Sequence, residues 1–340
     1  SLYAHIEGGS GQDRTAEANL AAFAELAIVP RMLRDVAGGH TDCVLGDSAR
    51  PHPILLAPIG WQALLHPEGE RASARAAAAT RSGFVVSTMA SATLEDIAEV
   101  AGADRWFQLY FQPDRAVTLD LVRRAEAAGY TALVVTVDTP IQLPSHRALA
   151  AGFQPPADPA NLRAYPPRGA SEGGSAILTG LMQGAPTFEA IGWLLGETRL
   201  PVWIKGVLHP EDALPLLAAG VAGIIVSNHG GRALDGAPAS LSALVRIRAA
   251  LGASARLLFD GGIRSGTDIF KAIALGADAV LVGRLQAYAL AVAGALGVAH
   301  MIKLLREELE ACMALAGCAT LADIRSAEVM PFAWRGGDQP

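Results

Sequence analysis

The chain has 340 residues, 51% hydrophobic, 6% aromatic and 18% charged, with a net charge of −6 and a pI near 5.8. That balance can build one large core, and it supplies no positive footprint for nucleic acid or an anionic membrane surface. Cys43, Cys312 and Cys318 lack metal-ligand spacing, so they read as reduced structural thiols of a cytoplasmic protein, with no metal expected.

Residues 1–50 precede the regular part of the chain. GGSGQDRTAEANLAAFAELAIVPRML predicts a loop, a short amphipathic helix and an extended exit around Pro30. No signal peptide is legible, and the abrupt opening at Ser1 leaves room for a piece before it. No apolar run approaches the roughly 18–20 residues that span a bilayer.

Eight short apolar runs follow: PILLAPIG (53–60), FVVSTM (84–89), WFQLYF (106–111), ALVVTVD (132–138), PVWIKG (201–206), GIIVSNHGG (223–231), RLLFDGG (256–262) and AVLVGR (279–284). Eight buried strands alternating with helices predict an α/β fold, a (β/α)8 TIM barrel, as a single domain over 1–340. The intervening helices have clear stops: 115–129 ends at Gly129, 211–220 at Gly220 and 266–276 at Gly276. Pro215 fits only near the first turn of its helix. GYTALVVTVD, GVAGIIVSNHG and GADAVLVGR repeat one helix-to-strand unit, which is itself a barrel signature. Residues 141–186 are rich in Pro, Gly, Ala and Ser without a period and predict a mobile lid or substrate loop after strand 4. The segment 297–316 predicts a helix against the bottom or side of the barrel.

Barrel chemistry sits where strands end. SNHGGRALDGAPAS (227–240) sets His229 and Arg232 three residues apart on a glycine-rich turn. A histidine there moves a proton near neutrality and an arginine there forks onto a carboxylate; the plain alternative is a capped turn with a surface arginine. DGGIRSGTDIF (260–270) puts Asp260, Gly262 and Arg264 before a helix that Ser265 or Thr267 caps. With Gly283 and Arg284 after strand 8 it predicts a phosphate cradle built from backbone N–H groups, a helix N-terminus and two arginines. Lys205 is a Schiff-base lysine, a general base, a fixed cation beside an electron-rich ring, or one half of a salt bridge. Asp138 either stabilises a protonated His229 or caps a loop.

LAPIGWQALLHPEGE, FQLYF, VVTVDTP, IKGV, SNHGGRALDGAPAS, DGGIRSGTDIFKAIALGADAVLVGR and MALAGC together resemble the FMN-dependent 2-hydroxy acid oxidase and dehydrogenase family across essentially the whole chain. The resemblance implies FMN, a small 2-hydroxy acid substrate, oxygen or another electron acceptor, and a homotetramer. It implies that His229 is the base, Asp138 its partner, Arg232 the carboxylate grip and Tyr110 a substrate contact near the flavin. Lys205 then lies at the edge of the flavin where negative charge collects on reduction. Ser87, Gln108 and Thr136 hydrogen-bond the ring, the backbone of Ile59 and Gly60 approaches it, and Ser227 belongs to the same cofactor set. Asp260 contacts the ribityl chain, while Gly262, Arg264, Gly283 and Arg284 hold the phosphate.

Two positions depart from the family pattern. His5 stands where the family has an aromatic residue, often tyrosine. After TVDTP, Pro144 and Ser145 stand where a substrate-binding arginine is usual, leaving His146 and Arg147 as candidate replacements. Loss of such a contact costs roughly 1.5–3 kcal/mol. The expectation is therefore oxidation of an (S)-2-hydroxy acid that is aryl or bulky, with Trp61 and Met89 lining its pocket. The alternative is an FMN barrel of another class: an isomerase, or an enzyme acting on a carrier-bound or tailoring substrate. A non-catalytic flavin scaffold is the third reading.

Overall fold

The computed structural model describes residues 1–46, 48–156, 158–166 and 174–332. Among them, eight parallel strands close into a barrel: β1 (Ile54–Leu56), β2 (Gly83–Ser87), β3 (Arg105–Leu109), β4 (Ala132–Thr136), β5 (Val202–Val207), β6 (Gly223–Val226), β7 (Leu257–Asp260) and β8 (Ala279–Val282). Each strand pairs with the next in sequence, and β8 returns to β1 through Val280↔Ile54. Closure leaves none of these strands with an open edge. All eight apolar runs of the sequence are these strands.

Alternate side chains of a strand face opposite ways. Ile54 and Leu56 pack outward beneath the helices, whereas Leu55 packs inward. Its inward neighbours are Val85, Trp106, Val134, Trp203, Ile225, Leu258 and Leu281, one from each remaining strand. Trp106 and Trp203 stack with centroids 5.3 Å apart. Two residues further along each strand, on the same face, come Ala57, Ser87, Gln108, Thr136, Lys205, Ser227, Asp260 and Gly283. The two-residue period thus converts an apolar plug into a polar ring at the C-terminal rim.

The helices are α1 (Leu2–Glu7), α2 (Arg14–Ala24), α3 (Gly69–Thr80), α4 (Leu94–Ala98), α5 (Arg115–Ala127), α6 (His146–Ala150), α7 (Phe188–Glu197), α8 (Pro210–Ala218), α9 (Ser240–Leu251), α10 (Gly266–Ala274), α11 (Arg284–Ala316) and α12 (Leu321–Arg325). Gly129, Gly220 and Gly276 follow α5, α8 and α10 with φ of 72°, 100° and 112°, a conformation that side chains other than glycine disfavour. Pro215 departs from expectation, because α8 begins at Pro210 and Pro215 lies inside it. The helix accepts one missing N–H because the His209 side chain caps its start and Ala213 and Leu216 are buried.

The extended exit after α2 is a strand, Leu26–Ile28, paired antiparallel with Val329–Pro331. Cys43–Leu45 and Ser48–Arg50 pair antiparallel. Residues 141–186 are not wholly irregular, since they contain α6 and helical turns over Ala176–Gly184. The predicted mobile lid falls partly on 157 and 167–173, which lie outside the described residues. The expected helix 297–316 is the second half of α11, which breaks at Ala293 and Gly294. By length and composition α11 is apolar enough to cross a membrane, contrary to the expectation that no segment is. Here it packs on α3 and α10 along the side of the barrel, burying Val298, Ile302, Leu305 and Leu309.

Candidate active site

His229 follows β6 with φ of 60°, in the left-handed region that few non-glycine residues occupy. The loop is held there by its neighbours. Ser227 Oγ accepts from the His229 N–H at 2.9 Å. Asn228 Oδ1 accepts from the Gly231 N–H at 3.0 Å and from Asn19 Nδ2 at 2.8 Å. The conformation brings His229 Nδ1 to 2.9 Å from Asp138 Oδ1, just after β4. A carboxylate at that distance needs a proton on Nδ1, which leaves the Nε2 lone pair as the basic atom. Burial pushes the Asp138 carboxyl up, but His229 and Lys205 outweigh it and hold it below the usual carboxylate range.

Lys205 is buried among partners of opposite charge. Its Nζ lies 3.0 Å from Asp260 Oδ2 and 3.0 Å from Ser227 Oγ. Ser227 Oγ also donates to Asp260 Oδ2 at 2.5 Å. Burial disfavours the ammonium, yet Asp260 and Asp138 raise it above the ordinary lysine value. Lys205 is therefore a fixed cation, and the Schiff-base and general-base readings lose their basis, since both need a neutral amine.

Arg232 Nη1 donates to the carbonyls of His5 at 2.7 Å and Gly8 at 2.9 Å. Its Nη2 lies 3.3 and 3.5 Å from the two ring nitrogens of His5. Among the described residues no carboxylate pairs with it. Burial, then Arg284, lowers its pKa to about 10. A buried cation without a counter-ion is costly, and an anionic ligand relieves that cost. Tyr110 stands close by, its hydroxyl accepting from Thr139 Oγ1 at 3.3 Å, and burial pushes its phenol up.

Neither candidate replacement for the missing arginine lines the cavity. Ser145 is buried and caps α6 through the Ala148 N–H at 3.0 Å. The His146 N–H donates to the Gly11 carbonyl at 2.7 Å, and Arg147 Nε pairs with Asp13 Oδ2 at 3.3 Å. None of these three lines the cavity, whereas Arg232 does.

The rim residues enclose a cavity of about 520 Å³. His5, Ile59, Gly60, Trp61, Ser87, Met89, Tyr110, Thr136, Lys205, His229, Arg232, Asp260, Gly262, Arg264, Gly283 and Arg284 all line it. Gln108, Asp138 and Ser227 stand behind its wall. Thr139 and Gln142 also line it but escaped the sequence reading, although Thr139 sits within the TVDTP motif.

The donor set fits a flavin. Gln108 Nε2 and Thr136 Oγ1 are buried without a partner, as expected of groups that meet the polar edge of a ring. Gln108 Oε1 is held by Ser87 Oγ at 3.3 Å and the Thr88 N–H at 3.2 Å, which leaves the amide nitrogen as its unsatisfied group. At the start of α10 the Gly266 N–H donates to Glu308 and the Asp268 N–H to Ser265 Oγ, while the N–H groups of Arg264 and Ser265 just before it donate to Asp268. The helix end that meets the cavity is instead that of α11, which has neither a side-chain cap nor an acidic residue in its first turn. Arg284 lies there, with its guanidinium donating to the carbonyls of Ile6, Gly8 and Gly230 at 2.9–3.0 Å. Arg264 lines the cavity beside it and donates only to its neighbour's carbonyl, Ile263 O, at 3.0 Å.

A carboxylate-paired histidine, a buried guanidinium and a fixed lysine around one cavity fit a flavin-dependent oxidoreductase acting on a small acid. A family model described as FMN-dependent dehydrogenase matches residues 1–331, and the chain belongs to that family. It is 61% identical over 334 residues to an L-lactate oxidase of Alicycliphilus denitrificans, covering 97% of this chain and 92% of that protein. A 4-hydroxymandelate oxidase of Amycolatopsis orientalis is 42% identical over 329 residues, covering 95% and 92%. A solved mandelate oxidase variant with (S)-mandelic acid superposes with a TM-score of 0.89 at 40% identity, over 98% of this chain and 94% of that one. The cofactor is FMN and the chemistry is oxidation of a 2-hydroxy acid.

Proposed function

We propose that the enzyme oxidises an (S)-2-hydroxy acid bearing an aryl or other bulky side chain to the 2-oxo acid, with oxygen as final acceptor. The observation that carries this reading is the cavity wall. Trp61, Met89, Phe111, Leu162 and Leu181 line the same space as His229 and Arg232.

The residues divide the work by chemistry. Arg232 receives the carboxylate, and Tyr110 lies beside it. His229 Nε2 takes a proton from the carbinol group, and Asp138 stabilises the imidazolium that results. Bound FMN supplies the two-electron acceptor, and Lys205 places a fixed positive charge where reduction adds negative charge. Oxygen as acceptor is supported by the oxidase names of the relatives.

The 61% identity to a protein named L-lactate oxidase supports a second reading, a short aliphatic substrate. Anaerobic mixing with (S)- and (R)-2-hydroxy acids from lactate to mandelate, followed by flavin bleaching, separates the two. A higher rate constant over affinity for (S)-mandelate supports the bulky substrate. A clear preference for lactate replaces it with the short one.

A further inference from the structure

The carboxylate end of the cavity contains a second ring that the chemistry above does not use. The His5 imidazole lines the cavity and stacks on Phe153, with centroids 4.0 Å apart and planes at 12°. Its nitrogens face Arg232 Nη2 at 3.3 and 3.5 Å. Its own carbonyl accepts from Arg232 Nη1, so backbone and ring are both fixed against the guanidinium. We propose that His5 is a specificity-determining residue that takes a proton from solvent when the substrate carboxylate reaches Arg232, so that the carboxylate is held between a guanidinium and an imidazolium. This rests on the reading of Arg232 as the carboxylate site.

The surrounding charges set the direction. Arg232 and Arg284 face α1 from the base loop and the start of α11. On its own element Glu7 is engaged by the Tyr288 hydroxyl. From α6 and the α2 cap, Arg147 and Asp13 pair with each other, and Asp13 Oδ1 also accepts from the Gly9 N–H at 2.7 Å. His146 is anchored to Gly11 through its N–H, and His229 and Asp138 form their own pair. No carboxylate of the described residues pairs with the His5 ring. Burial, then Arg232, holds the free ring at a pKa of about 4, so it is neutral near pH 7. An arriving carboxylate offsets Arg232 and gives the ring an opposite charge, and both effects move its pKa up. Binding is then linked to proton uptake, and affinity falls as pH rises through the raised value.

The test is titration calorimetry of the oxidised holoenzyme with benzoate and with pyruvate, at pH 7, in buffers of different ionisation enthalpy. The wild type should take up a measurable fraction of a proton per ligand bound. In His5→Gln that uptake should disappear while the ligand still binds more weakly. His5→Arg, which carries a permanent charge, should bind with no pH dependence from this position. Uptake that is unchanged in His5→Gln belongs to another group and overturns the proposal, as does binding without any uptake. Should neither carboxylate bind, and no 2-hydroxy acid bleach the flavin, the Arg232 reading fails and the His5 proposal with it.

Discussion

His229 Nδ1 and Asp138 Oδ1 are 2.9 Å apart although 91 residues separate them, and the second oxygen, Asp138 Oδ2, is buried without a hydrogen bond. The carboxylate is thus committed to the imidazole. Asp138→Asn keeps the shape, loses the charge and permits the wrong tautomer. Flavin reduction measured by stopped flow should slow by about 10²–10⁴-fold, the range that general-base catalysis contributes. FMN content should not change, because Asp138 stands behind the cavity wall.

The two arginines of the carboxylate region separate cleanly. Arg147 is half exposed and paired with Asp13, a surface-type contact worth about 0–1 kcal/mol. Arg147→Ala should leave kcat/KM within about twofold. Arg232→Met removes a charge-assisted contact worth roughly 1.5–3 kcal/mol and should lower kcat/KM by at least about ten- to a hundred-fold. Equal losses in the two variants would mean that Arg147 reaches the substrate after all.

Much of this architecture is legible in the chain. Barrel strands are apolar on both faces, so runs such as ALVVTVD stand out, and the polar residue two steps past the buried layer marks the rim. Three features are not legible, because each depends on where distant segments meet. Arg147 sits in α6, in the segment after β4, but its direction is fixed by Asp13 at the start of α2. The Gly266 N–H at the start of α10 donates to Glu308, 42 residues away. The pairing of Leu26–Ile28 with Val329–Pro331 joins two short segments that carry no strand period of their own.

Lys205 and Asp260 form a buried pair with Ser227 as the third member. Removing one partner of a buried ion pair typically costs about 3–5 kcal/mol, because the other charge is stranded. Lys205→Met should therefore lower the urea midpoint of the holoenzyme by a corresponding amount. It should also shift the flavin reduction potential to more negative values, since a cation favours the reduced, more negative ring. An unchanged potential would place Lys205 away from the flavin.

Acid stability should reflect His52, a residue outside the catalytic cavity. Its ring is buried, with Nε2 3.2 Å from the Thr80 carbonyl and 3.3 Å from Ser82 Oγ. Burial is the main cause that lowers its pKa from 6.5 to about 4. The unfolded chain binds this proton below about 6.5 and the folded protein resists it until about 4. The stabilisation is therefore complete above pH 6.5 and drains away as pH falls towards 4, by roughly 3 kcal/mol for that shift. Denaturant unfolding at a series of pH values should show this slope. His52→Gln, which cannot titrate, should flatten it whatever its level of stability at pH 7, and an equally steep slope in the variant would assign the acid lability to another group.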